Sequence, residues 1–281
     1  MLNTIDNFLT FLVAKGDAPR TVDTYRQRLK MLVEFAEETE LSAYTPELID
    51  RWVADERRRG LAAVTVNGRL RDARSFFRWC EQRGLIASSP AAHLHIKRYK
   101  PVEIKAIDGD VLKLMIANAT HERDRAIIMF IASTGCRLGE AATLLRRRLY
   151  VENREAQVDG KTGLRWVDFD RETARALEQW LAIAPPSDCV FTGLWGTNNG
   201  NPVQTGTIYQ MFRRVAIRAG VQNEIWNPHS LRHRVGQQFA SKTNLELTRK
   251  KLGHADIEST IIYANQDRTM VRAATDKIKI F

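Results

Sequence analysis

Four side chains with the potential for chemistry lie near the end of the chain. His229 and Arg232 are three positions apart, so both project from one face of a predicted helix. His254 follows Gly253, a residue type common just after a helix, and Tyr263 comes nine positions later. Since tight turns are predicted between the elements that carry them, the two imidazoles, the guanidinium and the phenol are expected to converge.

Three consecutive helices are predicted to position these side chains. The first has apolar positions that recur every four residues, at Leu231, Val235 and Phe239. Asn244 is predicted to cap the second helix, and Asp256 to cap a short third one. The first helix therefore presents a polar pair beside a buried face.

The composition and net charge indicate what kind of molecule the chain binds. The chain has 281 residues, 44% of them hydrophobic, which suffices for two domains with packed cores. A net charge of +10 fits DNA, RNA or an anionic membrane. The sequence has no apolar run long enough to cross a bilayer and no signal peptide, so nucleic acid is favoured. Three widely separated cysteines, without zinc or disulfide spacing, fit a reducing cytoplasm.

The first part of the chain is predicted to be all helical. Its first helix has an apolar stripe at Ile5, Phe8, Leu9 and Leu12. Thr21 is predicted to cap the second helix after Pro19, and Thr45 the third, with Pro46 in its first turn. These patterns indicate a helical domain over residues 1–86.

A fourth helix, from about residue 62 to 83, has two distinct faces. Its apolar face comprises Val66, Leu70, Ala73, Phe77 and Cys80. Beside it lie Arg71, Arg74 and Arg78. This basic face suits a DNA groove, and the alternative is a solvated surface.

Helical periodicity is absent from the next segment, which is predicted to be a basic linker over residues 87–104. Lys97, Arg98 and Lys100 are expected to contact DNA from it. His93 and His95 have no third ligand nearby, so phosphate contact or simple exposure is favoured over a metal site.

Residues 105–281 are predicted to form a mainly helical domain with one small antiparallel sheet. The predicted helices span about 108–118, 122–133, 171–183 and 206–219, and a further helix comes after Cys136-Arg137-Leu138-Gly139-Glu140 and runs to about residue 146. Residues 148–170 alternate in hydrophobicity around a turn at 159–163, which is typical of a hairpin.

Two catalytic motifs are excluded. Gly160-Lys161-Thr162 resembles the end of a phosphate-binding loop, but position 155 is Glu where that loop needs Gly. His229 and His233 have the spacing of a zinc-protease pair, but position 230 is Ser. Nucleotide and metal hydrolysis are therefore not expected.

The order and spacing of the remaining residues resemble the signature of the tyrosine recombinase or phage integrase family. The matching positions are Thr134-Gly135-Cys136-Arg137-Leu138-Gly139-Glu140, Lys161 on a hairpin, His229-Ser230-Leu231-Arg232-His233, Leu252-Gly253-His254, and Tyr263. The resemblance covers nearly the whole chain, including the helical N-terminal module.

This resemblance implies roles for the predicted site. Arg137 and Arg232 would bind the non-bridging oxygens of a phosphodiester through planar, permanently charged groups. Tyr263 would attack the phosphorus, and His229 would take its proton. Lys161 would protonate the departing 5'-oxygen.

Two further residues would support this reaction. His254 is expected to hydrogen-bond a phosphate oxygen, and Glu140 to support the site from behind. No metal or other cofactor is needed, since a covalent 3'-phosphotyrosine retains the bond energy.

The resemblance also implies an assembly. The family recombines DNA as a tetramer on two sites, with a core-binding domain and a catalytic domain closing around the duplex. Residues 264–281 end in an apolar tip that is expected to pack either on a neighbouring subunit or on its own domain. No extra arm-binding domain is expected, and the predicted location is cytoplasmic, associated with the nucleoid.

One position departs from the family pattern. Arg234 stands where a small Ser or Thr is usual, and it is predicted to contact DNA or to adjust the fold.

Two functions other than site-specific recombination also fit these residues. A type IB topoisomerase-like enzyme would use the same chemistry without pairing two sites. A non-catalytic DNA-binding regulator would not need the phenol of Tyr263.

Overall fold

The computed structural model describes residues 1–38, 40–96, 105–160, 163–194, 196–253, 260–261 and 263. The chain divides into two compact units, Met1–Val102 and Glu103–Phe281. No helix among these described residues is long and apolar enough to span a membrane.

The first unit is built from four helices. They are α1 (Leu2–Ala14), α2 (Pro19–Ala36), α3 (Pro46–Arg58) and α4 (Ala63–Gln82). The predicted cap at Thr45 is confirmed, because its side chain accepts a hydrogen bond from the Leu48 amide at 3.3 Å. The predicted cap at Thr21 is wrong. Helix α2 begins at Pro19, whose fixed φ suits the first helical position, so Thr21 lies inside the first turn.

The apolar stripes of these helices form one core. Phe8 of α1 packs edge-on against Phe76 of α4, with 5.5 Å between ring centroids. Every predicted apolar position of α4 is buried. The α4 face that carries Arg71, Arg74 and Arg78 is exposed.

The second unit combines seven helices of the described residues with one sheet. The helices are α5 (Gly109–Ala117), α6 (Glu122–Thr134), α7 (Leu138–Ala142), α8 (Arg171–Ile183), α9 (Thr205–Arg218), α10 (Pro228–Lys242) and α11 (Leu245–Leu252). The strands are β1 (Leu149–Tyr150), β2 (Glu155–Gly160) and β3 (Gly163–Asp168), antiparallel in that order. The predicted fold class, mainly helical with a small antiparallel sheet, is confirmed.

Helix α7 is shorter than predicted, ending at Ala142 and not near residue 146. The reason is a backbone pairing with a distant segment. The Arg146 amide donates to the Asp188 carbonyl, and the Val190 amide donates to the Leu144 carbonyl, each at 2.8 Å. These bonds hold Leu144 and Leu145 outside the helix, and a separate 3-10 turn follows at Arg146–Arg148.

Helix α6 is the centre of the second core. Its residues Ile127, Ile128, Phe130 and Ile131 are fully buried. Helices α8 and α10 pack against it, so the C-terminal end of α6 lies beside α10. Gly135 ends α6 in the left-handed conformation, with φ of 66°.

Candidate active site

Arg232 lies at the junction of three helices. It projects from α10 and is 2% exposed. Its Nη1 donates to the Gly135 carbonyl at 2.6 Å, just after α6, and its Nη2 donates to the Leu252 carbonyl at 2.8 Å, at the end of α11. Both acceptors belong to helix C-termini, whose last carbonyls lack helical partners and carry partial negative charge. The two helix ends therefore fix the guanidinium, and no carboxylate of the described residues pairs with it directly.

The charge of Arg232 survives this burial. Desolvation and the nearby positive charge of Arg137 lower the pKa of Arg232 to about 10. It stays protonated at neutral pH, and the two carbonyl bonds use only two of its five N–H donors. The remaining donors make no hydrogen bond to the described residues and can bind an anion.

Arg137 is held at the start of α7 by Glu140. Its backbone amide donates to Glu140 Oε2 at 2.8 Å, and its Nη1 donates to Oε1 at 2.9 Å. The Arg137 side chain is 43% exposed and that of Glu140 3%. Glu140 thus holds Arg137 from the protein interior.

Arg165 was missed by the sequence reasoning. It projects from β3 and donates from Nη2 to Glu140 Oε2 at 2.7 Å, and from Nη1 to the Lys251 carbonyl of α11 at 3.2 Å. Burial alone would raise the pKa of Glu140, but the charge of Arg165 and hydrogen bonds from Arg137 lower it. Arg165 occupies the same strand face as buried Val167, an inward arginine that period-two alternation could have flagged.

A cavity of about 350 Å³ opens in front of the two predicted clamp arginines. Its lining comprises Cys136, Arg137, Leu138, Tyr209, Asn227, Pro228, His229 and Arg232. His229 is exposed on the first turn of α10. Partial desolvation and the charges of Arg232 and Arg137 lower the pKa of His229. Its imidazole is therefore neutral at pH 7 and able to accept a proton.

Tyr263 is buried, and among the described residues its hydroxyl contacts an imidazole other than the predicted one. Its hydroxyl lies 3.0 Å from Nδ1 of His233, whereas the sequence reasoning assigned the proton transfer to His229. The reason is helix geometry, because His233 lies one turn further along α10, over the position that Tyr263 reaches. The two imidazole rings stack edge to face with centroids 4.4 Å apart.

The ring of Tyr263 rests directly on α10. A Cβ at Gly236 would lie 2.5 Å from Cζ of Tyr263, so glycine is required for this approach. The ring also belongs to a small apolar cluster with Val235 and Leu252. Burial raises the pKa of Tyr263, and the charge of Arg232 opposes this effect.

Helix α11 has the predicted ends. The Asn244 side chain accepts a hydrogen bond from the Leu247 amide at 2.8 Å, and Gly253 is left-handed with φ of 63°. The predictions for Asp256, His254, Lys161 and the tail 264–281 lie outside the described residues, as do those for Lys97, Arg98 and Lys100.

Arg234 makes an internal contact. Its Nη1 donates to the Ile107 carbonyl at 3.1 Å, just before α5. A Cβ at Gly109 would lie 2.6 Å from Nη2 of Arg234. Of the two predictions for this residue, the geometry favours an adjustment of the fold over a DNA contact.

The fold and this constellation define a tyrosine-type site-specific recombinase. The chain belongs to the phage integrase family, whose family model matches residues 105–270. The model for the N-terminal SAM-like domain of phage integrases matches residues 5–84.

Two relatives of similar length are tyrosine recombinases named XerC. The tyrosine recombinase XerC of Xanthomonas axonopodis pv. citri is 29% identical, covering 95% of this chain and 93% of the relative. XerC of Haemophilus influenzae (strain PittEE) is 25% identical, covering 94% of this chain and 93% of that relative.

Solved structures share the fold. A lambda integrase dimer bound to a COC' core site aligns with a TM-score of 0.77 at 16% identity, over all of this chain and 80% of that one. XerH recombinase bound to difH substrate, in a pre-cleavage complex, aligns with a TM-score of 0.71 at 19% identity, over 94% of this chain and 80% of that one.

Proposed function

We propose that this recombinase cleaves and rejoins DNA strands through a covalent 3'-phosphotyrosine, with Tyr263 as the nucleophile. The observation that carries the proposal is the placement of the Tyr263 phenol on α10, within electrostatic reach of buried Arg232. A phosphodiester in the cavity that Arg137, His229 and Arg232 line would meet both clamp arginines, and the proposal requires the phenol to approach it from α10.

Arg137 and Arg232 would stabilise the pentacovalent transition state. Both line the same cavity, and each is prepositioned, by Glu140 or by the two helix ends. Charge that develops on the non-bridging oxygens would meet donors already in place, which is the largest common source of enzymatic rate enhancement.

His229 and Lys161 would carry the protons. Neutral His229 lines the cavity and would take the phenolic proton, as the family resemblance implies. Lys161 would protonate the leaving 5'-oxygen. It follows Gly160 in the sequence. An added Cβ at Gly160 would lie 2.5 Å from Glu140 Oε1, so the carboxylate that holds Arg137 also lies against the end of β2.

His254 would donate to a phosphate oxygen. It follows Gly253 directly at the end of α11, where Arg165 and Arg232 bind the Lys251 and Leu252 carbonyls. These bonds fix the end of α11, which directly precedes His254 in the sequence.

Double-stranded DNA is the proposed substrate and binding partner. Residues 1–86 would form the core-binding domain, 87–104 the linker and 105–281 the catalytic domain. Exposed Arg71, Arg74 and Arg78, with Lys97, Arg98 and Lys100 of the linker, would contact phosphates, so affinity should fall steeply with salt. That two of the similar structures are DNA complexes supports this proposal.

The assembly and location are likewise proposals. Recombination would proceed as a tetramer on two sites, with residues 264–281 packing on a neighbouring subunit. The cytoplasmic, nucleoid-associated location inferred from the sequence stays a prediction.

The test is a search for the covalent adduct. Wild-type protein and Tyr263→Phe are incubated with a library of nicked suicide substrates and resolved under denaturing conditions. Tyr150→Phe, which alters an exposed tyrosine of β1, is the matched control.

We expect adducts with the wild type and Tyr150→Phe and none with Tyr263→Phe, while all three bind DNA. Sequencing the trapped ends then gives the target site. DNA binding without an adduct in any variant would favour a non-catalytic regulator, and supercoil relaxation by a monomer would favour a topoisomerase-like enzyme.

A further inference from the structure

The His233 side chain contacts the hydroxyl of Tyr263, the proposed nucleophile. Its Nδ1 lies 3.0 Å from the Tyr263 hydroxyl oxygen, within hydrogen-bonding distance. Neither the clamp nor the proton transfers described above use His233.

The direction of this hydrogen bond depends on the protonation states of both partners and on the tautomer of His233. Burial, followed by the charges of His229 and Arg232, lowers the pKa of His233 to about 4. Burial raises the pKa of Tyr263. At neutral pH the imidazole is neutral and the phenol retains its proton, so Nδ1 accepts from the hydroxyl in the tautomer that carries its proton on Nε2.

A hydrogen bond that holds the intact phenol before its proton leaves is a role for His233 distinct from the proton transfer proposed for His229.

Because the Tyr263 ring is packed in place, its hydrogen bond to His233 can orient the hydroxyl. Gly236 seats the ring on α10, and Val235 and Leu252 pack around it. Rotation about the C–O bond sets the direction of the O–H once the ring is fixed. A hydrogen bond from its O–H to His233 fixes that rotation and thereby directs the oxygen lone pairs.

We infer that His233 is a positioning residue, whose Nδ1 accepts a hydrogen bond from the Tyr263 hydroxyl and orients the nucleophile before strand cleavage. This inference rests on the proposed function. It assigns His233 a task distinct from that of His229, although the two rings are in contact.

The experiment compares two substitutions of His233 on the trapped target site. His233→Asn retains a short side chain with an acceptor that does not titrate, whereas His233→Leu retains bulk without an acceptor. Gln238→Leu, on an exposed face of the same helix, is the matched control. The measurements are the single-turnover rate of adduct formation at saturating DNA, its pH profile and the Kd for DNA.

We expect His233→Leu to lower the rate roughly tenfold with Kd unchanged, since a lost hydrogen bond and a misplaced nucleophile both act on the chemical step. His233→Asn should stay within about threefold of the wild type and keep its pH profile. If the leucine variant fails to fold, His233→Ala replaces it in the same comparison.

Two results would overturn the inference. A wild-type rate in the variant without an acceptor would make the contact incidental. An asparagine variant as inactive as Tyr263→Phe would make His233 a base. Failure of the proposed function is distinguishable, because the wild type itself would then form no adduct.

Discussion

At the scale of single residues, Arg232 shows how two carbonyl groups hold a buried charge. The two carbonyls lie at the ends of different helices. A lysine at this position would present one compact charge and could not span both acceptors while also binding a phosphate.

Arg232→Lys should therefore lower the rate of adduct formation at least about a hundredfold, as for loss of a donor to a developing oxyanion. The comparison is Arg213→Lys, at an exposed position of α9, which should match the wild type. Equal rates in the two variants would show that charge alone suffices at position 232.

Gly236 is required for steric reasons. In Gly236→Ala the new methyl group would displace the ring of Tyr263, so cleavage should fall about tenfold or more while DNA binding is retained. Gly206→Ala, where nothing lies within 4 Å of the added Cβ, is the control and should cleave normally. Normal cleavage by Gly236→Ala would mean that the productive position of Tyr263 lies away from α10.

At the scale of elements, Arg165 joins β3, α7 and α11 through one buried ion pair and one carbonyl. Arg165→Met would leave the Glu140 carboxylate buried with less compensation, so we expect a loss of about 3 kcal/mol in the free energy of unfolding. Denaturant titration measures this loss.

The control for this element is an exposed pair. Arg148→Met removes an ion pair with Asp159, whose side chain is 54% exposed, and should cost less than about 1 kcal/mol. Adding Glu140→Gln to Arg165→Met should recover part of the loss. A purely additive double variant would contradict the assigned coupling.

Local sequence signals predicted the elements well where caps and periodicity agreed. Asn244, Thr45 and Asp108 each cap the predicted helix, since a short side chain can reach an amide two or three residues ahead in any fold. The predicted start of α2 was wrong because Pro19 begins that helix. The predicted end of α7 was wrong because backbone pairing with a distant segment outweighed local helix preference.

The candidate site was predictable in its residue types but not in its contacts. Arg137, His229, Arg232 and Tyr263 carry the family motif in sequence. The pairing of Tyr263 with His233 and of Arg165 with Glu140 spans 30 and 25 positions. Which members of two elements meet depends on the packing of α10 and β3, and no short-range pattern contains that information.

At the scale of the whole molecule, buried neutral histidine makes stability depend on pH. The pKa of His233 is about 4 in the folded protein against an ordinary value near 6.5. The unfolded chain therefore binds more protons between these values, and stability falls as the pH drops from about 6.5 to 4. The contribution of this residue is at most about 3 kcal/mol.

Urea titrations at pH 7, 6, 5 and 4 test this dependence. His233→Asn cannot titrate, so its stability should change less over this range than that of the wild type. An identical slope in both proteins would place the acid sensitivity elsewhere.

The bonds of Arg232 also have a consequence for local opening of the fold. Residues at the C-terminal ends of α6 and α11 share one donor group, so neither end can fray without releasing it. A phosphate bound to the remaining N–H donors would hold the guanidinium in place and lower the opening rate at both ends together. Amide hydrogen exchange near Gly135 and Leu252 would then slow in concert when DNA binds, although these amides belong to helices far apart in the chain.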